Sequence, residues 1–232
     1  MRIEGKNAVY ELLKSGTTVN KVLIQKEETG KIVALAKQLG VKIQFVDKKV
    51  LDKESVTGKH QGYIAEAVDF EYCDLEDLLS KDGDKLIVVL DEINDPHNLG
   101  SIIRVCECAG VDGIVIGKNR QVQVNETVVR CSAGAISHVK LARVTNINTA
   151  IETMKNNGVW VYCADMDGQR MYDANLTGNI ALVVGGEGNG VSRLTKSLCD
   201  GVISIDLRGK VNSLNASVAC GIVVYEALRQ RG

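Results

Sequence analysis

The spacing of apolar positions changes along the chain, and each change predicts an element. "NAVYELLKSG" (7–16) spaces its apolar residues as one helical face and predicts a helix that Gly16 ends. "VNKVLIQK" predicts a strand. "KIVALAKQLG" places apolar residues at 32, 35, 36 and 39, a helical stripe, with Gly40 as the stop. "VKIQFVD" reads as a strand, "KKVLDKES" as a short helix and "GYIAEAVDF" as a third strand. An acidic stretch, "CDLEDLLSKDGDK", predicts a short helix and a connection.

From Leu86 the alternation strengthens. "KLIVVLDEI" is a continuous apolar run, as in a strand covered on both faces of a parallel sheet. A helix over "NLGSIIRVCECAG", a strand "GIVIG", a helix near "NETVVRCSAGA", a strand "VKLARV", a helix "NTAIETMKNNG" and a strand "VWVYCAD" follow. Then come "NIALVVGGE", a helix "SRLTKSLC", a strand "GVISIDL" and a long final helix "SLNASVACGIVVYEALRQR". Strands alternating with helices imply an α/β fold with a mostly parallel sheet. We expect a small front domain over residues 1–70, a linker over 71–83 and a larger domain over 84–232.

Composition narrows the class. At 45% apolar and 25% charged residues, the chain has the make-up of a soluble globular protein with a real core. No apolar run approaches the roughly 20 residues that span a bilayer, and no secretory leader precedes the first helix. The seven cysteines form no CxxC pair and read as small buried hydrophobes in a reducing cytoplasm. No metal-ligand spacing links them to His60, His97 or His138. A net charge of -1 argues against coating nucleic acid by charge alone. The front 70 residues do carry twelve Lys and Arg against nine Asp and Glu, a mildly basic face.

The candidate chemistry lies in three loops that follow strands, where open α/β sheets bind ligands. The first is "DPHNLGSIIR", the second "VVGGEGNGVSRL" and the third "DLRGKVNSLNAS". The glycine loop lacks the Gly-Lys-Ser/Thr of a phosphate cradle, and Val191 stands where GxGxxG needs its last glycine. Its Glu187 repels a pyrophosphate and favours a ligand that is cationic or rich in hydroxyls. S-adenosylmethionine is both. Taken alone, the loop also fits a tight turn whose glycines only supply positive φ. In the first loop Asn98 is placed to cap the helix, and Arg104 follows about 9 Å along the axis. Pairing of Arg104 with Glu107 is the structural alternative. In the third loop Ser213 fits a helix cap, and Asn215 is left without a purely structural reason.

Together, "DPHNLGSIIRVCECAG", "LVVGGEGNGVSRL" and "ISIDLRGKVNSLNASVACGIVVYEAL" resemble, in order and spacing, the three motifs of the SpoU/TrmH family of RNA ribose 2′-O-methyltransferases, within the SPOUT superfamily. The similarity covers about residues 84–232. "IEGKNAVYELLKSG" and "HQGYIAEA" resemble the ribosomal-protein-like RNA-binding domain of the members that methylate a guanosine ribose in 23S ribosomal RNA. The resemblance implies a SPOUT-type sheet with a deep C-terminal trefoil knot, a homodimer, and S-adenosylmethionine bound in the knot. It implies Gly185, Gly186, Ile205, Leu207, Leu214 and Asn215 as cofactor-binding positions. Asn98, Arg104, Glu187, Ser213 and Asn215 match its functional polar positions. Arg104 is then either the base for the ribose hydroxyl or the group that grips the target phosphate and stabilises the alkoxide. One departure stands out: Ile205-Asp206-Leu207 replaces the usual Ile-Pro-Met and adds a charge beside the adenine pocket. A transfer-RNA methylase, a non-catalytic RNA-binding protein of the same fold and a nucleotide-dependent oxidoreductase are the competing classes.

Overall fold

The computed structural model describes residues 2–14, 19–67, 70–188, 190–211 and 213–232. The front unit contains β1 (Arg2–Glu4), α1 (Lys6–Lys14), β2 (Val19–Gln25), α2 (Lys31–Gln38), β3 (Lys42–Val46), α3 (Lys48–Glu54) and β4 (Tyr63–Ala67). The glycine stop anticipated at Gly16, and the end of the third predicted strand at Val68 and Asp69, lie outside the described residues. The sheet order is β1-β4-β2-β3. β2 and β3 run parallel across α2, whereas β4 is antiparallel to both β1 and β2. β1, at three residues, is too short to give a periodic signal.

After α4 (Leu75–Leu79), the second unit contains β5 (Leu86–Asp91), α5 (Pro96–Cys108), β6 (Gly113–Gly117), α6 (Glu126–Cys131) and β7 (Leu141–Val144). It continues with α7 (Ile147–Asn156), β8 (Trp160–Arg170), β9 (Ile180–Gly185), α8 (Arg193–Leu198), β10 (Gly201–Ser204) and α9 (Ala216–Arg231). The sheet order is β10-β8-β9-β5-β6-β7, and every neighbouring pair is parallel. This is the α/β class that the pattern predicts.

The apolar run of β5 is explained by burial on both faces. Leu86, Val88 and Leu90 enter one core with Leu99, Ile102 and Cys106 of α5 and Cys220 and Val223 of α9. Ile87 and Val89 enter a second core with Leu78 of α4 and Ile151 and Met154 of α7. Each such fully buried aliphatic side chain contributes about 1.5–3 kcal/mol of transfer free energy. Leu78 packs so closely on β6 that a Cβ at Gly113 would lie 2.4 Å from its Cδ2.

Several local expectations are corrected. Asp95, not Asn98, caps α5: its carboxylate accepts from the His97 N–H at 2.8 Å, with Pro96 at the first helical position. Asn215, not Ser213, caps α9. α6 ends at Cys131 because Ala133 and Gly134 both take positive φ, 50° and 93°. The cysteines are not uniformly buried: all seven are free thiols, and Cys108 is exposed. Arg104 makes no ion pair with Glu107 among the described residues, and its side chain is exposed.

Candidate active site

The glycine loop follows β9, the strand beside β5. Gly186 donates its N–H to the Asp91 carbonyl at 2.9 Å. Ser192 donates its N–H to the buried Asp91 carboxylate, also at 2.9 Å. The loop therefore folds back over the end of β5 and is fastened at both sides. Gly190 closes it with an N–H to the Gly186 carbonyl at 3.1 Å. A Cβ at Gly185 would lie 2.1 Å from the Gly190 carbonyl carbon, and one at Gly186 would lie 2.3 Å from the Glu92 oxygen. These two glycines serve close backbone approach. Gly188 and Gly190, at φ 94° and 61°, supply the positive φ that the turn needs.

Glu187, at the loop tip, meets the other two loops. Its Oε1 accepts from Asn98 Nδ2 at 2.8 Å and from Asn215 Nδ2 at 2.7 Å. Asn215 Nδ2 also donates to Asn98 Oδ1 at 2.9 Å. The opposite end of the Asn215 amide caps α9, its Oδ1 accepting from the Ser217 and Val218 N–H groups at 3.0 and 3.3 Å. One side chain thus starts a helix and closes a three-loop clamp, and the clamp accounts for the burial of Asn98.

Beside the clamp lies a cavity of about 310 Å³. The anticipated Gly185, Gly186, Glu187, Ile205, Leu207, Ser213 and Leu214 all line it. Asn98 and Asn215 stand behind Glu187. Asp206 does not line the cavity: its carboxylate pairs with Arg170 Nε at 3.2 Å. Arg104 is not brought to this cavity either. It lines a second one, of about 410 Å³, with Glu11 and Lys14 of α1, Glu107 and His138.

Residues absent from the sequence reading complete the wall. Val202 of β10 pairs with Cys163 of β8, but the next residue, Ile203, pairs with Gln169. The intervening stretch of β8 bulges out of the ladder, and its Ala164, Asp165 and Met166 line the cavity. Gly168 allows this, because a Cβ there would lie 2.6 Å from the Ile203 nitrogen. The acid-rich "DMDG" at the carboxyl end of a strand was the available signal. Among the described lining residues the charged side chains are Asp165 and Glu187, and none is cationic. Such a wall accepts hydroxyls, amines and positive charge and disfavours phosphate.

Among the described residues no group of three or more His, Cys, Asp or Glu side chains is placed to hold a metal ion. No described helix is long and apolar enough to cross a membrane.

Comparison with known proteins gives the same picture. The model of the SpoU rRNA methylase family matches residues 85–225, and that for RNA 2′-O ribose methyltransferase substrate binding matches residues 2–73. The Bacillus subtilis (strain 168) protein YacO, placed by name in the TrmH family of tRNA/rRNA methyltransferases, is 44% identical over 98% of this chain and 94% of its own length. The solved structure of AviRb from Streptomyces viridochromogenes, a SpoU methyltransferase in complex with the cofactor AdoMet, superposes with a TM-score of 0.84 at 22% identity. It covers 99% of this chain and 89% of AviRb. An AdoMet-bound rRNA methyltransferase from Sinorhizobium meliloti gives 0.77 at 24% identity, over 98% and 86% of the two chains. At those identities the two structures speak for the fold. The family match over most of the larger unit and the identity to YacO along nearly the whole length carry the assignment: this chain belongs to the SpoU/TrmH family of RNA methyltransferases.

Proposed function

We propose that the chain transfers a methyl group from S-adenosylmethionine to a ribose 2′-hydroxyl in RNA, with a guanosine of 23S ribosomal RNA as its target. The observation that carries the cofactor half is the cavity wall, with two carboxylates and no cationic side chain among its described residues. A dinucleotide would bring phosphates against Asp165 and Glu187. An adenosyl sulfonium brings positive charge and hydroxyls, and its adenine matches the apolar Ile203, Ile205, Leu207 and Leu214. AviRb and the Sinorhizobium enzyme, both solved with AdoMet, support the reading.

When bound, S-adenosylmethionine supplies an electrophilic methyl on sulfur. The chain supplies position and charge. Gly185 and Gly186 let the loop pack against the main chain at Gly190 and Glu92, which shapes the cavity wall. Glu187 fixes Asn98 and Asn215, so that three loops present one rigid edge. Ser213 adds a hydroxyl to the wall of the cavity. Arg104 grips the phosphate of the target nucleotide and stabilises the forming alkoxide. A guanidinium stays protonated in proteins, which disfavours its use as a base.

In this reading residues 1–70 select the RNA, 71–83 link, and 84–232 form the knotted methylase. Lys14 of α1 beside Arg104 supports RNA lying across both units. The homodimer is part of the same proposal. The inner face of α9 is core, while Val218, Tyr225 and Leu228, three or seven residues apart, remain exposed along its outer face. That stripe fits a second copy.

The test is to map 2′-O-methylated positions in ribosomal and transfer RNA from cells with and without the gene. One ribosomal guanosine is expected to lose its methyl group. Loss at a transfer-RNA position instead, or no loss anywhere, overturns the substrate assignment.

A further inference from the structure

The second carboxylate of the cavity is unused in the mechanism above. We propose that Asp165 is the acceptor for the ribose hydroxyls of the methyl donor, with Lys196 as its positioning residue; this rests on the methyl-donor reading.

Three observations carry the assignment. The bulge in β8 breaks the register with β10 and places Asp165 in the cavity wall. Next, Lys196 of α8 holds the carboxylate from outside, with Nζ 3.2 Å from Asp165 Oδ2 and 2.7 Å from Asp167 Oδ2. A carboxylate accepts about four hydrogen bonds, so lone pairs remain for a ligand. Finally, Lys196, shared between Asp165 and the nearer Asp167, offsets part of the charge on Asp165. An acceptor partly neutralised from behind suits neutral donors better than an ammonium. A vicinal diol offers two such donors side by side, matched to a carboxylate. Glu187 is held by Asn98 and Asn215 on Oε1 and has no cation paired with it among the described residues, so it suits the positive charge of the donor better than its diol.

Calorimetric titration with two ligands tests this. S-adenosylhomocysteine carries the ribose and an ammonium; 5′-methylthioadenosine carries the ribose and no amino acid. Asp165→Asn is expected to weaken both by the same factor, about ten-fold or more. Lys196→Met is expected to weaken both several-fold, with Lys196→Arg restoring affinity, and Asp167→Asn is expected to bind as the wild type does. The proposal is overturned if Asp165→Asn binds both ligands within two-fold of wild type, or if only the homocysteine compound loses affinity, which would assign Asp165 to the ammonium. Should Asp165→Asn fail to fold, unchanged binding by Lys196→Met overturns the role of the pair. Absence of heat from the wild-type chain with either ligand is a different result: it removes the methyl-donor reading, and this proposal with it.

Discussion

Replacing Asn215 by alanine tests the three-loop clamp, because the structure separates the two jobs of that side chain. The Oδ1 atom caps α9 through the Ser217 and Val218 N–H groups, a role worth about 1 kcal/mol. The Nδ2 atom donates to Asn98 Oδ1 and Glu187 Oε1. The bond to Asn98 is worth about 1 kcal/mol and leaves a buried acceptor unpaired when lost. That to Glu187 has a charged acceptor, but Glu187 is exposed, so water replaces part of it; about 1 kcal/mol is again reasonable. Asn215→Ala should therefore cost about 3 kcal/mol by these sums. Asn215→Ser keeps a capping oxygen and loses only the donor, so it should cost about 2 kcal/mol. Equilibrium urea unfolding, monitored on the larger unit, reads both. The reasoning fails if Asn215→Ala costs no more than a cap and Asn215→Ser costs nothing, since the clamp would then hold no energy.

Other expectations are equally direct. Gly185→Ala puts a methyl into the backbone at Gly190 and Val191, and cofactor affinity should fall at least ten-fold in calorimetry; ordinary binding would show that the turn is free to open. Arg104→Ala, distant from the cofactor cavity within one chain, should abolish methyl transfer to RNA while cofactor affinity stays near wild type; normal turnover removes Arg104 from the mechanism. Glu4 gives a pH test. Burial opposes its charge, but bonds from the Ser55 and Thr57 hydroxyls and the Val56 and Thr57 N–H groups outweigh it, and its pKa falls to about 2 from 4.5. A carboxyl lowered on folding stabilises above its unfolded value, and that stabilisation is lost as pH drops from 4.5 towards 2. The advantage of wild type over Glu4→Gln in urea midpoint should shrink across that window, and a pH-independent difference would count against the bonds described.

What was legible in the sequence follows from what has a period. The continuous run at Leu86–Asp91 and the Gly113–Gly117 strand stand where the pattern puts them, because burial on both faces or tight flanking turns leave a local trace. The motif residues Asn98, Glu187 and Asn215 were recognisable as a set, yet their bonding was not, because a clamp between distant positions leaves no spacing to read. Asn98 precedes the apolar stripe, where the pattern alone puts a cap. Asp95 with Pro96 starts the helix one turn earlier, and burial reserves Asn98 for Glu187. The bulge in β8 was invisible, since it depends on how β10 runs past it. "WVYCAD" alone reads as a plain strand. Arg104 could be placed on its helix, but not assigned to a cavity that α1 and the turn after α6 build jointly.

The clamp joins positions 89 and 117 residues apart. During synthesis the ribosome must therefore release nearly the whole chain before the site has its edge. A nascent polypeptide ending before Asn215 can lay down β5, β8 and β9, but no ordered pocket for a methyl donor. Loop closure over such separations is slow and entropically costly. The three-loop edge of the site thus waits for Asn215, and a product that ends before it lacks the clamp.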